Sequence, residues 1–332
     1  MERSKMAGRL PVGENDQLLV RYGIMNPMHD FTQHHWHTQT ERDFKQLLEL
    51  ALFEDVETRG DLTSLILLSA ADQGSATIVA RTEGVLAGIP LVPKILSAVE
   101  PELIWEPILG DSAALVRGTV VGTIRGSASG ILIAERLVLN FLGRLSGVAT
   151  LTQRYVNAVQ NTTTHIYDTR KTTPGWRRLE KYAVACGGGR NHRTGLYDAV
   201  LIKDNHLALG QHGDIPFSPA EAVRRTKEIL RQRFTELPIV EIEVDTLEQL
   251  REVLPAGPDI VLLDNMTPTK IMEAIQIRNL VNPSVQLEAS GGITLETVRA
   301  VAETGVERIS VGALTHSAVS LDFGLDWEIV LR

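Results

Sequence analysis

The sequence predicts an α/β protein in which a small α+β unit precedes a parallel β/α barrel. Three observations carry that prediction. Beyond about residue 150, short apolar strand candidates alternate with helical segments, the grammar of parallel strands joined by right-handed crossovers. Nearly every one of those strands ends in a residue able to do chemistry, and barrels gather function at the C-terminal ends of their strands. Ahead of them, an amphipathic helix is followed by β-rich segments broken by Gly, Pro and Asp. Six or seven strand–helix units could also lie as an open doubly wound sheet; the strand-end chemistry favours the barrel.

Residues 1–40 have no sustained periodicity and read as an N-terminal extension or arm, with disorder an open expectation. Its His29, His34, His35 and His37 match no standard metal-site spacing and read as structural or disordered. Thr40 opens the amphipathic helix TERDFKQLLELALFED, with Asp43 placed as in a capping box. SATIVAR, LIWEPI and TVVGTI are the strands of the small unit, with a helix across Pro93 to Val99. A long helical run, GILIAERLVLNFLGRLSGVATLTQRYVNAVQ, is expected to be interrupted at Gly143 and Gly147. The barrel strands are HIYDT, DAVLIKD, PIVEIEVD, DIVLLDN, VQLEAS and RISVGA. Helix starts between them are marked by Ser218-Pro219-Ala220-Glu221, by Asp245 with Glu248, and by Thr267-Pro268.

A hydrophobic content of 43% with 22% charged residues is that of a soluble globular protein. The net charge of −8 argues against sequence-independent nucleic-acid binding. One cysteine, Cys186, excludes an internal disulfide framework and reads as a core thiol in a reducing compartment. No apolar run approaches the ~18 residues that cross a bilayer. The polar start carries Glu and Asp, unlike a signal or transit peptide, so the cytoplasm is the default location. Against this acidic balance, Asp168 to His206 gathers eight Lys and Arg against four Asp and Glu. A small, multiply anionic ligand accounts for such a cluster.

The strand ends supply the candidates. Asp168-Thr169-Arg170-Lys171 follows the first strand and Lys203-Asp204-Asn205-His206 the second, with Glu243 and Asp245 on the third and Asp264-Asn265 on the fourth. The last two strands run into Ser290-Gly291-Gly292 and Val311-Gly312-Ala313, turns of the kind that cradle a phosphate. Glu243 and Asp264 offer hard oxygens for Mg²⁺ shared with substrate phosphates, or for ribose hydroxyls; a structural ion pair is the alternative. Lys203 is either a Schiff-base lysine or a fixed positive charge. Gly187 to Gly189 point to a close backbone approach or a surface turn before Asn191-His192-Arg193. Arg177, Arg178 and Lys181 read as a solvated helix face.

DTRKTTPG, GGGRNHRTGLYDAVLIKDNH, EVD, LLDN, EASGGI and VGALTHS, in this order, resemble the quinolinate phosphoribosyltransferase family. EDVETRGDLTS and ERLVLNFLGRLSGVATLT resemble its N-terminal motifs, so the likeness covers roughly residues 43–332. It implies an α/β sandwich (41–150, completed by 318–332) joined to an incomplete, about seven-stranded parallel β/α barrel (151–317), after the extension 1–40. It implies phosphoribosyl transfer from phosphoribosyl pyrophosphate to quinolinate with decarboxylation, giving nicotinate mononucleotide, pyrophosphate and CO₂ in NAD biosynthesis, with Mg²⁺ as cofactor. By the same resemblance, Arg170, Lys171, His192, Arg193 and Lys203 match the quinolinate pocket. Glu243 and Asp264 match the acidic pair at the ribose and at Mg²⁺, held directly or through water. Ser290, Gly291, Gly292 and Gly312 match the 5′-phosphate cradle, and Lys171, Glu243 and Asp264 are the catalytic candidates. A homodimer or higher homo-oligomer with shared active sites is implied, with Arg136 reaching across the interface. None of these positions departs from the family pattern. A Schiff-base lyase on Lys203 and a non-catalytic metabolite-binding protein are the readings from other classes.

Overall fold

The computed structural model describes residues 30–212 and 215–328. The first unit holds α1 (Thr38–Val56), α2 (Leu62–Leu67), β1 (Gln73–Ala80), α3 (Val92–Val99), β2 (Ile104–Pro107) and β3 (Val120–Ser127). Its antiparallel sheet has the order C-terminal strand (Phe323–Trp327), β1, β3, β2, so the chain's tail supplies one edge. Ile78 and Ala80 of β1, with Val121 and Ile124 of β3, turn into a core shared with α3 and α4 (Ala128–Ala158).

Two sequence expectations are corrected here. α1 begins at Thr38, not Thr40, and its cap is His37: the ring Nδ1 accepts from the amides of Gln39 and Thr40 at 3.1 and 3.4 Å. An imidazole nitrogen thus does what a Ser or Asp oxygen usually does, and Asp43 instead pairs with Arg178 at 2.5 Å. α4 is not interrupted at Gly143 and Gly147 but runs 31 residues. The glycines serve close approach: a Cβ at Gly147 would lie 2.1 Å from the Val319 carbonyl oxygen, and one at Gly143 2.8 Å from that of Leu321. The returning tail crosses the helix there, and the Leu321 amide donates to the Gly143 carbonyl at 2.9 Å.

The second unit holds β4 (His165–Tyr167), α5 (Arg177–Cys186), β5 (Val200–Ile202), α6 (Asp204–Leu209), α7 (Pro219–Arg233), β6 (Val240–Val244), α8 (Leu247–Val253), β7 (Ile260–Asp264), α9 (Pro268–Val281), β8 (Gln286–Ser290), α10 (Val298–Ala302), β9 (Arg308–Ser310) and α11 (Ala313–His316). Its strands are all parallel in the order β4, β9, β8, β7, β6, β5. The barrel is therefore incomplete, with β4 and β5 as its edges. Among the described residues it has six strands rather than about seven. After α5 the chain presses against α4, where a Cβ at Gly187 would lie 2.3 Å from the Ala149 carbonyl oxygen. It then makes a single bridge, Tyr167 to Arg190, before turning inward at Asn191. That one bridge stands where another strand would run.

Ser218 and Thr267 cap α7 and α9 as expected, accepting from the amides of Glu221 at 3.3 Å and Lys270 at 3.4 Å. The box at α8 is Thr246 with Gln249, one residue later than expected, and Gln249 Oε1 also accepts from the Asp245 amide at 2.8 Å.

Candidate active site

A cavity of about 210 Å³ opens at the C-terminal ends of the barrel strands. Arg170 and Lys171, just beyond β4, line it with His192 and Arg193 from the inward turn and Lys203 from the end of β5. Facing them are Glu243, Asp264, Ser290 and Gly291. The register explains the grouping: Glu243 pairs with Leu262, and Asp264 with Ser290. Since side chains alternate along a strand, Glu243, Leu262, Asp264 and Ser290 share the inner face. Three expected site residues are not among the lining. Gly292 is exposed just past Gly291. Gly312 lies beside Lys171, whose Cδ would be 2.9 Å from a Cβ at that position. Arg136 is exposed on α4, outside its own chain's cavity.

The cations are held, not scattered. Lys203 donates to Glu243, a contact that ties up the nitrogen a Schiff base would need and so fits the fixed-charge role. Arg193 donates to the Ala199 carbonyl at 3.0 Å. Burial, and then the neighbouring Arg170 charge, hold its pKa below the usual arginine value. Arg170 Nε is buried with no hydrogen-bond partner among the described residues, a donor left for a ligand. At the opposite wall, Asp264 accepts from the Asn265 side chain at 2.7 Å. Gly291 adopts a φ of +93°, and a Cβ there would lie 2.2 Å from Asn265 Oδ1, so this turn requires glycine twice over.

Beneath the cavity is a charged layer that the strand-end reading missed. His192 Nε2 lies 3.0 Å from Glu241 and 3.4 Å from Glu288, and all three residues are buried. Arg308, fully buried, donates from Nε to Glu288 at 3.0 Å and lies 3.8 Å over the Tyr167 ring. Burial opposes charge on His192, but the two carboxylates overcome it and raise the imidazole to about 9. The Arg193 amide, 2.8 Å from Nδ1, pulls the other way by favouring the neutral ring. Two carboxylates outweigh one amide dipole, so the direction is upward. With Arg308 already supplying a cation, His192, Glu241 and Glu288 form an ion network.

Lys181 is a further correction. It was expected on a solvated face, yet it is fully buried, paired with buried Asp168 and donating to the His192 carbonyl at 2.8 Å. Asp168 also accepts from the His192 amide at 2.8 Å and the Asn191 side chain at 2.7 Å. Arg177 and Arg178 are likewise engaged, with Thr172 at 3.0 Å and Asp43 at 2.5 Å. The face of α5 turns toward the inward loop, not toward water. Cys186 packs at the edge of the core, and burial pushes its thiol up to about 12.

Residues 61–146 match the family model of the quinolinate phosphoribosyl transferase N-terminal domain, and residues 148–326 that of the C-terminal domain. A nicotinate-nucleotide pyrophosphorylase (carboxylating) of Mycobacterium leprae is 41% identical over 284 residues, covering 85% of this chain and 96% of its own length. A mitochondrial quinolinate phosphoribosyltransferase (decarboxylating) of Nicotiana tabacum is 39% identical over 308 residues, covering 87% of this chain and 84% of that one. The solved nicotinate-nucleotide pyrophosphorylase of Francisella tularensis superposes with a TM-score of 0.81 at 33% identity, covering 90% of this chain and all of that one.

Proposed function

The chain belongs to the quinolinate phosphoribosyltransferase family, and from that premise we propose that the 210 Å³ cavity is where it joins quinolinate to phosphoribosyl pyrophosphate. It is a pentosyltransferase that makes nicotinate mononucleotide, pyrophosphate and CO₂ in NAD synthesis. The observation that carries the assignment of the cavity is the convergence of Arg170, Lys171, His192, Arg193 and Lys203 on one small space faced by Glu243 and Asp264.

The roles follow from charge. Two adjacent carboxylates on a flat ring need several directed donors, and Arg170 and Arg193 offer planar, bidentate ones. Held there, the ring nitrogen attacks ribose C1 as pyrophosphate leaves. Glu243 and Asp264 stabilise the positive charge that develops at C1, and Lys171 neutralises charge on the anionic reactants. Quaternisation makes the ring nitrogen cationic, so the electron pair left at C2 when the carboxylate departs as CO₂ is stabilised until a proton replaces it. The Ser290-Gly291-Gly292 turn and Gly312 receive the 5′-phosphate. Glu243 and Asp264, hard oxygen donors on adjacent strands, fit Mg²⁺ held directly or through water. When bound, Mg²⁺ neutralises the leaving pyrophosphate.

The working form is a homodimer or higher homo-oligomer; the exposure of Arg136 outside its own cavity supports its use in a partner's site. The single cysteine supports a reducing, cytoplasmic setting. Among the described residues no helix is long and apolar enough to cross a membrane.

The test is pyrophosphate and CO₂ release from quinolinate, phosphoribosyl pyrophosphate and Mg²⁺. Nicotinate, with one carboxylate, should turn over poorly because it leaves buried cations unpaired. Comparable turnover of nicotinate would remove the dicarboxylate assignment.

A further inference from the structure

Residues Asp30 to His34 belong to the segment that composition marked as an extension, and they lie ahead of both family-model matches, which begin at residue 61. Their contacts are not those of a loose arm. Phe31 is buried with Ala199, Ile239 and Ile260, residues at the starts of β5, β6 and β7. It therefore closes the end of the barrel opposite the cavity. Its ring stacks on that of His192, with centroids 4.3 Å apart and planes at 29°. The Arg308 guanidinium sits 5.0 Å from the same ring. Asp30 accepts from Arg308 at 3.0 Å and from the Tyr167 hydroxyl at 2.8 Å, completing the charged layer from below.

The next residues grip the segment that carries His192 and Arg193. Gln33 donates to the Asn191 carbonyl at 3.2 Å while its Oε1 accepts from the Asn191 amide at 2.8 Å. The His34 amide donates to Asn191 Oδ1 at 2.6 Å, and its Nε2 lies 2.7 Å from Thr194 Oγ1. The gripped segment follows the bridge at Arg190, and among the described residues no strand pairing continues beyond it. Neutral contacts of this kind are individually modest, but they fall on Asn191, His192 and Thr194, which bracket Arg193.

We infer that Asp30–His34 is a positioning strap for quinolinate: it closes the barrel floor and sets the orientation of His192 and Arg193. The inference rests on the reading of those two residues as quinolinate-pocket residues. Among the described residues, the hydrogen bonds and ring contacts of Asp30, Phe31, Gln33 and His34 reach only His192 of the cavity lining, so their effect falls on the quinolinate side.

The experiment uses full-length Phe31→Ala and Gln33→Ala, with Arg193→Ala as control, and measures KM for quinolinate and for phosphoribosyl pyrophosphate alongside thermal midpoints. Losing the stack or the paired hydrogen bonds should raise the quinolinate KM roughly 3- to 10-fold. The phosphoribosyl pyrophosphate KM should stay within about twofold. Arg193→Ala, which removes a charge-assisted contact, should raise the quinolinate KM roughly 10- to 150-fold. If Phe31→Ala does not fold, the half-buried Gln33 carries the test. Folded strap variants that leave the quinolinate KM unchanged, or raise both KM values equally, while the control raises it, overturn the strap alone. A control that leaves the quinolinate KM unchanged overturns the pocket assignment, and the strap falls with it.

Discussion

At the scale of single residues, what could be read from the sequence was whatever announced itself locally. Arg170, Lys203, Glu243 and Asp264 sit where an apolar strand ends, and that position is visible without knowing any partner. Glu241, Glu288 and Arg308 are two residues before Glu243, Ser290 and Ser310, on the same inner faces. A charge in phase with a strand-end polar residue was the available signal for them. Lys181 offered no such signal, because its burial depends on Asp168, 13 residues earlier, and on the docking of a whole helix. His34 makes a testable case. Burial, and then the Lys181 charge, lower its pKa from 6.5 to about 4. Between those values the unfolded chain binds the extra proton, so this contribution to stability is complete above pH 6.5 and lost as pH falls toward 4. A shift of this size is worth on the order of 3 kcal/mol. Thermal midpoints at pH 7.5 and 4.5 should therefore fall further for the wild type than for His34→Gln; equal falls would show that His34 does not titrate this way.

At the scale of elements, existence was easier to read than ends or continuity. The alternation of strand and helix survives as six parallel strands, because apolar strands buried on both faces leave a pattern that context does not disguise. Caps shifted by one to three residues where unexpected side chains served, His37 for α1 and Thr246 for α8. The glycines of α4 were misjudged because propensity speaks only of the helix, while the reason for Gly147 is the backbone that crosses it. Gly147→Ala separates the two accounts. An unobstructed helical glycine gains about 1 kcal/mol on conversion to alanine. Here the methyl group must displace Val319, and a net loss of ~1–3 kcal/mol is expected in urea melts. A gain would mean that the tail yields freely.

At the scale of the whole molecule, one chain gathers five cations yet leaves Arg136 exposed on α4, outside its own cavity. If a second copy uses it, Arg136→Ala and Arg193→Ala enzymes should each be nearly inactive alone at quinolinate concentrations near the wild-type KM. Dissociated and reassembled in equal amounts, about half the dimers are mixed, and each mixed dimer has one site with both arginines. Activity should then return to roughly one quarter of wild type. No recovery after verified subunit exchange would assign Arg136 a role within its own chain. Nothing in a single sequence reveals such sharing, since a surface arginine and an interface arginine read alike.

The C-terminal strand has a consequence for the birth of the protein. β1 pairs on one side with β3, and on the other with Phe323–Trp327, nearly 250 residues downstream. While a ribosome is still making the barrel, the first sheet must wait with β1 as an open edge, the kind of surface that recruits foreign strands. Only once the chain through Trp327 has emerged can Leu321 cross α4 and the last strand seal that edge. A chain stopped after Ser317 keeps every cavity-lining residue and should nonetheless accumulate as aggregate, in proportion to the time that edge stays open. Soluble, active truncated enzyme from the same expression would show that the sheet closes without its final strand.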